Sequence, residues 1–394
     1  MRRVAVLIES SRAFGRGLLE GIARYSHEQG PWSIYFEPQG MGESSPEWLR
    51  HWHGDGILAR VDNQAMADAI RATGVPVLDL RGTILDDRIP LVVGGDNARI
   101  AWLAFEHFRE RGIPHFGFCG VPRGRNRFLE QREDDFRRLV EEAGHSCWTF
   151  TTARTRRAAA DWEREQEQLA DWLRQLPKPI GIMACHDDRG YQVLDACRRA
   201  GLAVPDQVAV VGVDNDLVLC GLADPPMSSI DPDAPRIGYE AAAWLDRLMN
   251  GESLPRGVIP IEPRGLVVRQ SSDVLAIPDA DLAAALRFIR DHACAGIRVD
   301  DVLQQTALSR SALERKFRHY LGRSPKAEIL RVQIARASAL LLESSLPLKE
   351  VARQSGFSTE KYFSDAFLRE TGTRPGAFRR ARRFRPPAFQ APPG

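Results

Sequence analysis

Through the first 270 residues, short apolar runs alternate with amphipathic stretches that close on glycine. VAVLI precedes LLEGIARYSHEQG, LVVGGD precedes IAWLAFEHFRERG, HFGFCGV precedes DFRRLVEEAG, IGIMAC precedes GYQVLDACRRAG, and VAVVGVD follows. WSIYFEP, DGILARV and VPVLDL are further runs of the same kind. Strands rich in Val, Ile and Leu throughout, with no polar alternation, are buried on both faces, as in parallel sheets covered by helices. The pattern predicts a doubly wound α/β architecture. About ten such strands exceed one comfortable open sheet, so two lobes, each with its own sheet, are expected.

Ligands of such folds bind beyond the carboxyl ends of the strands. The residues there are Glu9, Ser10, Arg12 and Phe14; Asp79 and Arg81; Asp96 and Asn97; His186 and Asp187; and Asp214 and Asn215. Carboxylates, amides and guanidinium groups in one cleft suit a neutral polyol, whose hydroxyls both donate and accept, and Phe14 could cover the apolar face of a sugar ring. The competing reading of Asp96 and Asp187 is helix capping, the usual work of an acid after a strand. A nucleotide enzyme is disfavoured: there is no G-x-G-x-x-G after the first strand, no G-x-x-x-x-G-K-[ST] and no G-x-S-x-G. An acid/base pair of Asp187 and Asp214 keeps a sugar-modifying enzyme open as a minor alternative.

Composition narrows the class. With 43% hydrophobic and 27% charged residues, and 32 Gly and 25 Pro in no repeating triplet, the chain is neither fibrous nor disordered. No apolar run approaches the ~20 residues of a membrane span and no export signal opens the chain. A periplasmic solute carrier is therefore disfavoured and a cytoplasmic location expected. Six cysteines are scattered without a C-x-x-C pair, and the histidines lack metal-ligand spacing, so buried thiols, no metal and no cofactor are expected.

The net charge of +2 hides an asymmetry. Residues after Ala276 carry 21 Lys plus Arg against 12 Asp plus Glu, a formal +9, and the rest carry 33 against 40, a formal −7. A basic piece joined to an acidic one suggests a polyanion partner for the basic piece alone, although RRARRF at 379–384 supplies much of that charge. The same piece contains a repeat of 49 to 50 residues. VDDVLQQTALSRSALERKFRHYLGRSP at 299–325 matches LKEVARQSGFSTEKYFSDAFLRETGTRP at 348–375, pairing Val302 with Val351, Leu313 with Phe363, Phe317 with Phe367, Gly322 with Gly372 and Pro325 with Pro375.

Each copy reads as a short helix, a tight turn and a second helix, with Ser309 and Ser358 placed to cap the second helices. Leu313 and Phe317, like Phe363 and Phe367, form an inward stripe at i and i+4. Outward lie Arg310, Ser311, Glu314, Arg315 and Lys316 in the first copy, and Glu360, Lys361, Ser364 and Asp365 in the second. These can bond base edges or phosphates in a major groove. Between the copies, a helix capped by Ser324 with Pro325 first would span ~30 Å, close to the ~34 Å between successive grooves on one face of DNA.

Several segments resemble the sugar-sensing core of the lactose-repressor and ribose-binding-protein superfamily: VAVLIESSRAFGRGLLEGIARY, VGGDNARIAWLAFEHFRERGIPHFGFCG, IGIMACHDDRGYQVLDACRRAGLAVPDQVAVVGVDND and DPPMSSIDPDAPRIGYEAAAWLDRLMNGE. The resemblance implies two lobes joined by crossovers near Gly95, Ser229 and Arg256, and sugar-binding roles for Arg132, Asp214, His186 and Asp79. His186 departs from the family's usual Asn. Residues 282–385 resemble the arabinose-activator (AraC) type of DNA-binding domain, which implies base contacts from Ser311, Glu314, Arg315, Lys361, Ser364 and Asp365. Arg310, Lys316 and Arg353 would then hold phosphates. The order of the two parts, and FIRDHACAGIRVDDVLQQTALSRSALERKFR at 288–318, resembles the family of bacterial D-xylose operon activators.

The expected organisation is a two-lobed sensor at 1–270, with lobe 1 about 1–95 and 230–255 and lobe 2 about 96–229 and 256–270. A linker at 271–281, a double helix-turn-helix domain at 282–385 and a tail at 386–394 follow. The implied function is ligand-responsive transcription activation, with operator DNA, a sugar effector such as D-xylose, RNA polymerase and a second copy of the chain as partners. Another sugar or polyol, or repression, is the alternative. PRIGYEAAAWLDRLM and LLEGIARY are candidate dimer surfaces, with plain core as the competing reading.

Overall fold

A computed structural model describes residues 1–38, 47–80, 91–124, 126–151, 159–252, 257–273, 279–344 and 346–383. The chain divides into two compact units, Met1–Ala276 and Ile277–Gly394. Arg81, Arg256 and the tail at 386–394, all singled out above, lie outside the described residues.

The first unit begins β1 (Arg2–Leu7), α1 (Ala13–Gln29), β2 (Trp32–Phe36), β3 (Gly56–Ala59), α2 (Gln64–Ala72), β4 (Val77–Asp79) and β5 (Leu91–Gly95). It continues α3 (Asn97–Glu110), β6 (His115–Cys119), α4 (Arg127–Glu142), β7 (Cys147–Phe150), α5 (Ala159–Gln175), β8 (Ile180–Ala184) and α6 (Asp187–Ala200). It ends β9 (Val208–Val213), α7 (Leu217–Leu222), β10 (Ser228–Asp231), α8 (Ala234–Met249), β11 (Gly257–Ile261) and β12 (Gly265–Val267). Two six-stranded sheets result, ordered β11-β5-β4-β3-β1-β2 and β12-β10-β9-β8-β6-β7. Every pairing is parallel except that of β12 with β10. The central strands β8 and β9 are buried along their whole length, which is why they read as unbroken apolar runs.

The backbone crosses between the sheets after β5, after β10 and after β11. The third crossing corrects the expectation of one near Arg256: β11 pairs with β5 over Gly257–Ile261, so those residues stay in the first lobe and the chain leaves it only beyond Ile261. Pro260 interrupts the apolar run there, and a strand at a sheet edge tolerates a proline because one side of it needs no ladder hydrogen bond.

Helices α1 and α8 pack face to face over the first sheet, burying Leu18, Ile22, Tyr25, Ile237, Ala241 and Leu245. The two stretches read as candidate dimer surfaces therefore spend their apolar faces on each other. Glycines set the closeness of the crossing. A Cβ on Gly21 would lie 2.0 Å from the Pro235 carbonyl oxygen, and one on Gly238 would lie 2.1 Å from that of Leu18.

The second unit is helical: α9 (Ala280–His292), α10 (Val299–Leu303), α11 (Arg310–Leu321), α12 (Pro325–Glu343), α13 (Leu348–Gln354), α14 (Glu360–Thr371) and α15 (Pro375–Arg383). Helices α10/α11 and α13/α14 are the two copies of the repeat. Ile334, Ala337, Leu341, Val351, Phe363 and Phe367 share one core, and Leu313 and Phe317 are fully buried. Ser309 caps α11 by accepting from the Ala312 N–H at 3.3 Å. The corresponding cap of α14 is Thr359, accepting from the Tyr362 N–H at 3.1 Å, and not Ser358. The extra residue of the second turn precedes the cap and shifts that duty by one. Gly322 and Gly372 end the two helices at φ 65° and 70°, the left-handed conformation that closes a helix.

Replacing Gly21 or Gly238 by alanine should lower unfolding stability by about 1–3 kcal/mol, because the obstruction is backbone, even though alanine gains roughly 1 kcal/mol of helix propensity. Urea unfolding of both variants measures it. Unchanged or raised midpoints would mean that the crossing can widen freely.

Candidate functional site

The turns after β1, β8 and β9 meet across the gap between the lobes. There they line a cavity of about 240 Å³ bounded by Ser11, Arg12, Phe14 and Arg16 on one side and Asp187, Asp188, Asp214, Asp216, Val218 and Leu219 on the other. Of the residues expected at a ligand, Arg12, Phe14, Asp187 and Asp214 line this space. Arg132, His186 and Asp79 do not, and Arg81 lies outside the described residues. Asp188, Asp216, Ser11 and Val218 carried no sequence signal beyond standing one to three places from residues that did.

Asp187 is held entirely by protein. The Ser229 hydroxyl donates to it at 2.6 Å, the Asp216 N–H at 2.7 Å and the Cys220 thiol at 3.6 Å. Burial, and then the neighbouring Asp214, push its carboxyl well above the ordinary carboxylate value. A Cβ on Gly212 would sit 2.2 Å from its Oδ1, so β9 must carry glycine there. Asp187 does not cap α6, one of the readings above. His186 does, its Nδ1 accepting from the Arg189 N–H at 3.1 Å. Burial and three nearby guanidinium groups hold the His186 pKa well below its ordinary value, so the imidazole is neutral and can accept. Asp96 caps α3 by accepting from the Arg99 N–H at 3.0 Å.

Asp214 differs. Its backbone N–H donates to Ile230 at 3.0 Å, while its carboxylate has no hydrogen-bond partner among the described residues. Its φ of 114° is unusual for a residue with a side chain and costs of order 1–3 kcal/mol. Such strain turns the carboxyl toward the cavity. Burial raises its pKa to about 7, against the opposing charges of Arg132, Arg12 and Arg60.

Arg132 is buried, giving its Nε–H to Asn97 at 3.0 Å, another N–H to the Cys185 carbonyl, and its cationic face to Phe128 at 5.0 Å. Three of its five donors remain. Asp79 accepts from the Val61 N–H at 3.2 Å. Arg12 reaches across the gap to Asp188 at 3.1 Å, an ion pair between lobes. Arg60 pairs with buried Glu9 and lies 5.2 Å from the Phe14 ring, fixing that ring at the first lobe's edge. One wall is thus cationic and aromatic and the other is a row of carboxyls, a set that can bond the hydroxyls of a small polyol from both sides.

The expected DNA-facing residues lie on α11 and α14, except Arg353, which lies on α13. Arg310, Ser311, Arg315, Glu360, Lys361 and Asp365 are exposed, and Glu314 and Ser364 are half-buried. Arg310 pairs with Asp300 at 2.8 Å and Arg353 with Glu350 at 2.5 Å. Lys316 is the most occupied, at 2.5 Å from Asp279, the N-cap of α9. Arg315 has no ion pair among the described residues. Tyr320 and Tyr362 are exposed large side chains on the same two helices that the repeat did not flag. Among the described residues no helix is long and apolar enough to cross a membrane.

Comparison with known proteins gives three domain matches: an XylR N-terminal domain at residues 3–90, a periplasmic binding protein-like domain at 105–272 and a helix-turn-helix domain at 302–381. The chain is 31% identical over 382 residues to the xylose operon regulatory protein of Escherichia coli (strain K12), with 96% of each chain covered. It is 29% identical to that of Haemophilus influenzae, covering 96% of this chain and 98% of the relative. A solved structure of a xylose-binding transcription activator matches with a TM-score of 0.71 at 30% identity, covering 96% and 98% of the two chains.

The Asp214 carboxyl gives a pH signature. Its folded pKa of about 7 stands above the unfolded 3.8, so its contribution to stability is fully present below the unfolded value and is lost as pH rises through the folded one. Asp214→Asn cannot ionise and should lose less melting temperature than the unaltered protein between about pH 5 and about pH 8. Identical losses would mean that the carboxylate is already charged throughout that window.

Proposed function

Because the chain belongs to the family of xylose operon regulatory proteins, we propose that it is a transcription activator that senses D-xylose, or a closely similar pentose, between its lobes and acts through its two helix-turn-helix units. The observation that carries this reading is the presence, in one chain, of a carboxylate- and guanidinium-lined cavity between two parallel-sheet lobes and a duplicated helix-turn-helix fold. The relative of solved structure is by its title both xylose-binding and a transcription activator. Arg12 and Asp214 would bond the sugar hydroxyls and Phe14 would cover a ring face, with the Arg132 guanidinium supporting the Asp214 carboxylate from outside the lining. Asp187 and His186 would support that wall from behind.

A sugar can shift the lobes only by as much as it prefers one arrangement over the other. The Arg12–Asp188 pair, joining the two walls directly, is one interaction whose strength would depend on that arrangement. On DNA, Arg315, Ser311 and Glu314 from α11, and Lys361, Ser364 and Asp365 from α14, would read bases, while Arg310 and Arg353 would meet phosphates. Lys316 would do so only by exchanging Asp279 for a phosphate. A cytoplasmic homodimer bound to an operator and assisting RNA polymerase completes the proposal, with regulation and not catalysis as its role. Two-fold dimers are the commonest closed assemblies, and the apolar faces that α1 and α8 bury against each other would lie within each subunit.

Two measurements test this. D-Xylose should raise the melting temperature progressively with concentration, as any ligand of the folded form does, and a panel in which only hexoses or polyols do so would reassign the effector. Arg315→Ala should weaken binding to the operator by about 1–3 kcal/mol more than binding to random DNA. Equal weakening on both would make Arg315 a phosphate contact.

A further inference from the structure

The cavity wall, the second crossing between lobes and the chain's exit from the sensor meet at one side chain. Asn215 follows Asp214 and is itself left-handed, with φ 49°. It does not line the cavity. Its backbone N–H donates to the Ser229 hydroxyl at 2.9 Å, and that hydroxyl donates to Asp187. Its side-chain carbonyl accepts from Arg269 at 2.8 Å, and its amide is among the groups that offset the burial-raised pKa of the Asp231 carboxyl.

Those last two partners lie in different places. Asp231 ends β10, where the chain leaves the second lobe, and it and Asp233 are clasped by Arg264 at 3.7 and 2.8 Å. Arg269 bonds the Met227 carbonyl at 3.0 Å and leads directly into a 3-10 turn at Gln270–Ser272, a few residues before the boundary of the DNA-binding unit. That turn is locked to the lobe. The Ser271 hydroxyl donates to Val210 at 2.7 Å and accepts from the Ser228 N–H at 2.8 Å. The Ser272 hydroxyl lies 2.7 Å from both the Ser228 hydroxyl and His107 Nε2. Ser228, Ser229, Ser271 and Ser272 are all fully buried.

An unbroken chain of hydrogen bonds therefore runs from the cavity-lining carboxyl of Asp187 to the last turn before the linker. Asn215 stands in the cavity turn and bonds both β10, through Ser229, and the exit, through Arg269. We infer that Asn215 is the positioning residue through which occupancy of the cavity is coupled to the segment leading into the DNA-binding unit. A ligand that draws Asp214 into a new rotamer or backbone conformation must move its neighbour. Asn215 can follow only by changing its bonds to Ser229 and Arg269. Coupling through such a joint is a free-energy difference between two bonded arrangements, so it can be removed without removing either binding site.

The inference rests on the sugar-responsive reading above, and its test separates the two. Full-length unaltered protein, Asn215→Gly and Arg269→Gln are compared by calorimetric titration with D-xylose and by operator binding with and without D-xylose. Glycine accepts φ 49° without strain, so the first variant deletes the side-chain bonds and keeps the backbone. Asn215→Gly is expected to bind D-xylose and, without sugar, operator DNA within about threefold of the unaltered protein, while the sugar-induced change in operator binding disappears. Arg269→Gln, which breaks the joint from the exit side, should reproduce that loss. A full sugar response in Asn215→Gly overturns the inference. So does a loss of D-xylose affinity beyond about tenfold, since Asn215 would then be a ligand contact. An unaltered protein that binds operator but ignores D-xylose overturns the functional reading itself, and this inference with it.

Discussion

The backbone passes between two sheets three times, and because the strands at the centre of both sheets run parallel, the turns after β1, β8 and β9 are delivered to one gap. Everything polar in the sensor follows from that delivery. Carboxyls arriving at the ends of β8 and β9 are pressed together in a poorly solvated place, which raises the pKa values of both Asp187 and Asp214. The protein answers unequally. Asp187 receives three donors and becomes part of the wall, whereas Asp214 receives none among the described residues. The guanidinium groups of Arg132, Arg12 and Arg60 are what keep so many acids tolerable there.

The strand ends were legible in the sequence because a strand buried on both faces leaves an uninterrupted apolar run. Asp214 and the Asp187 neighbourhood were found by looking just beyond such runs. β11 was missed for the same reason inverted: it is an edge strand with mostly exposed side chains and a proline within it, so it leaves no run, and the third crossing was placed too early. The exchange of capping duty between Asp187 and His186 was equally hidden. Both residues can cap, and only the pull of Ser229 and the Asp216 N–H on the carboxylate decides which does. Contacts such as Asn215 with Arg269, 54 residues apart, have no local signature at all.

In the second unit the repeat made the architecture legible twice over, since each copy checks the other. What it could not show is the state of each outward side chain. The equivalence of positions suggested equivalent roles, yet Lys316 is spent on the N-cap of α9 and Arg310 on Asp300, while Arg315 has no ion pair among the described residues. Helix periodicity assigns a direction to a side chain, and only the neighbours brought in by the fold decide whether its charge is available.

The two outward faces are not copies in charge. α11 exposes Arg310, Arg315 and Arg318, whereas the corresponding part of α14 exposes Glu360, Lys361 and Asp365. A stretch of duplex met by a single subunit would consequently have a head and a tail. Turned end for end, it would bring to α11 the base edges suited to α14, while its phosphates, which carry no sequence, would lie as before. One subunit's word in the promoter should thus be non-palindromic, and its orientation would dictate on which side of the bound DNA the rest of the molecule stands.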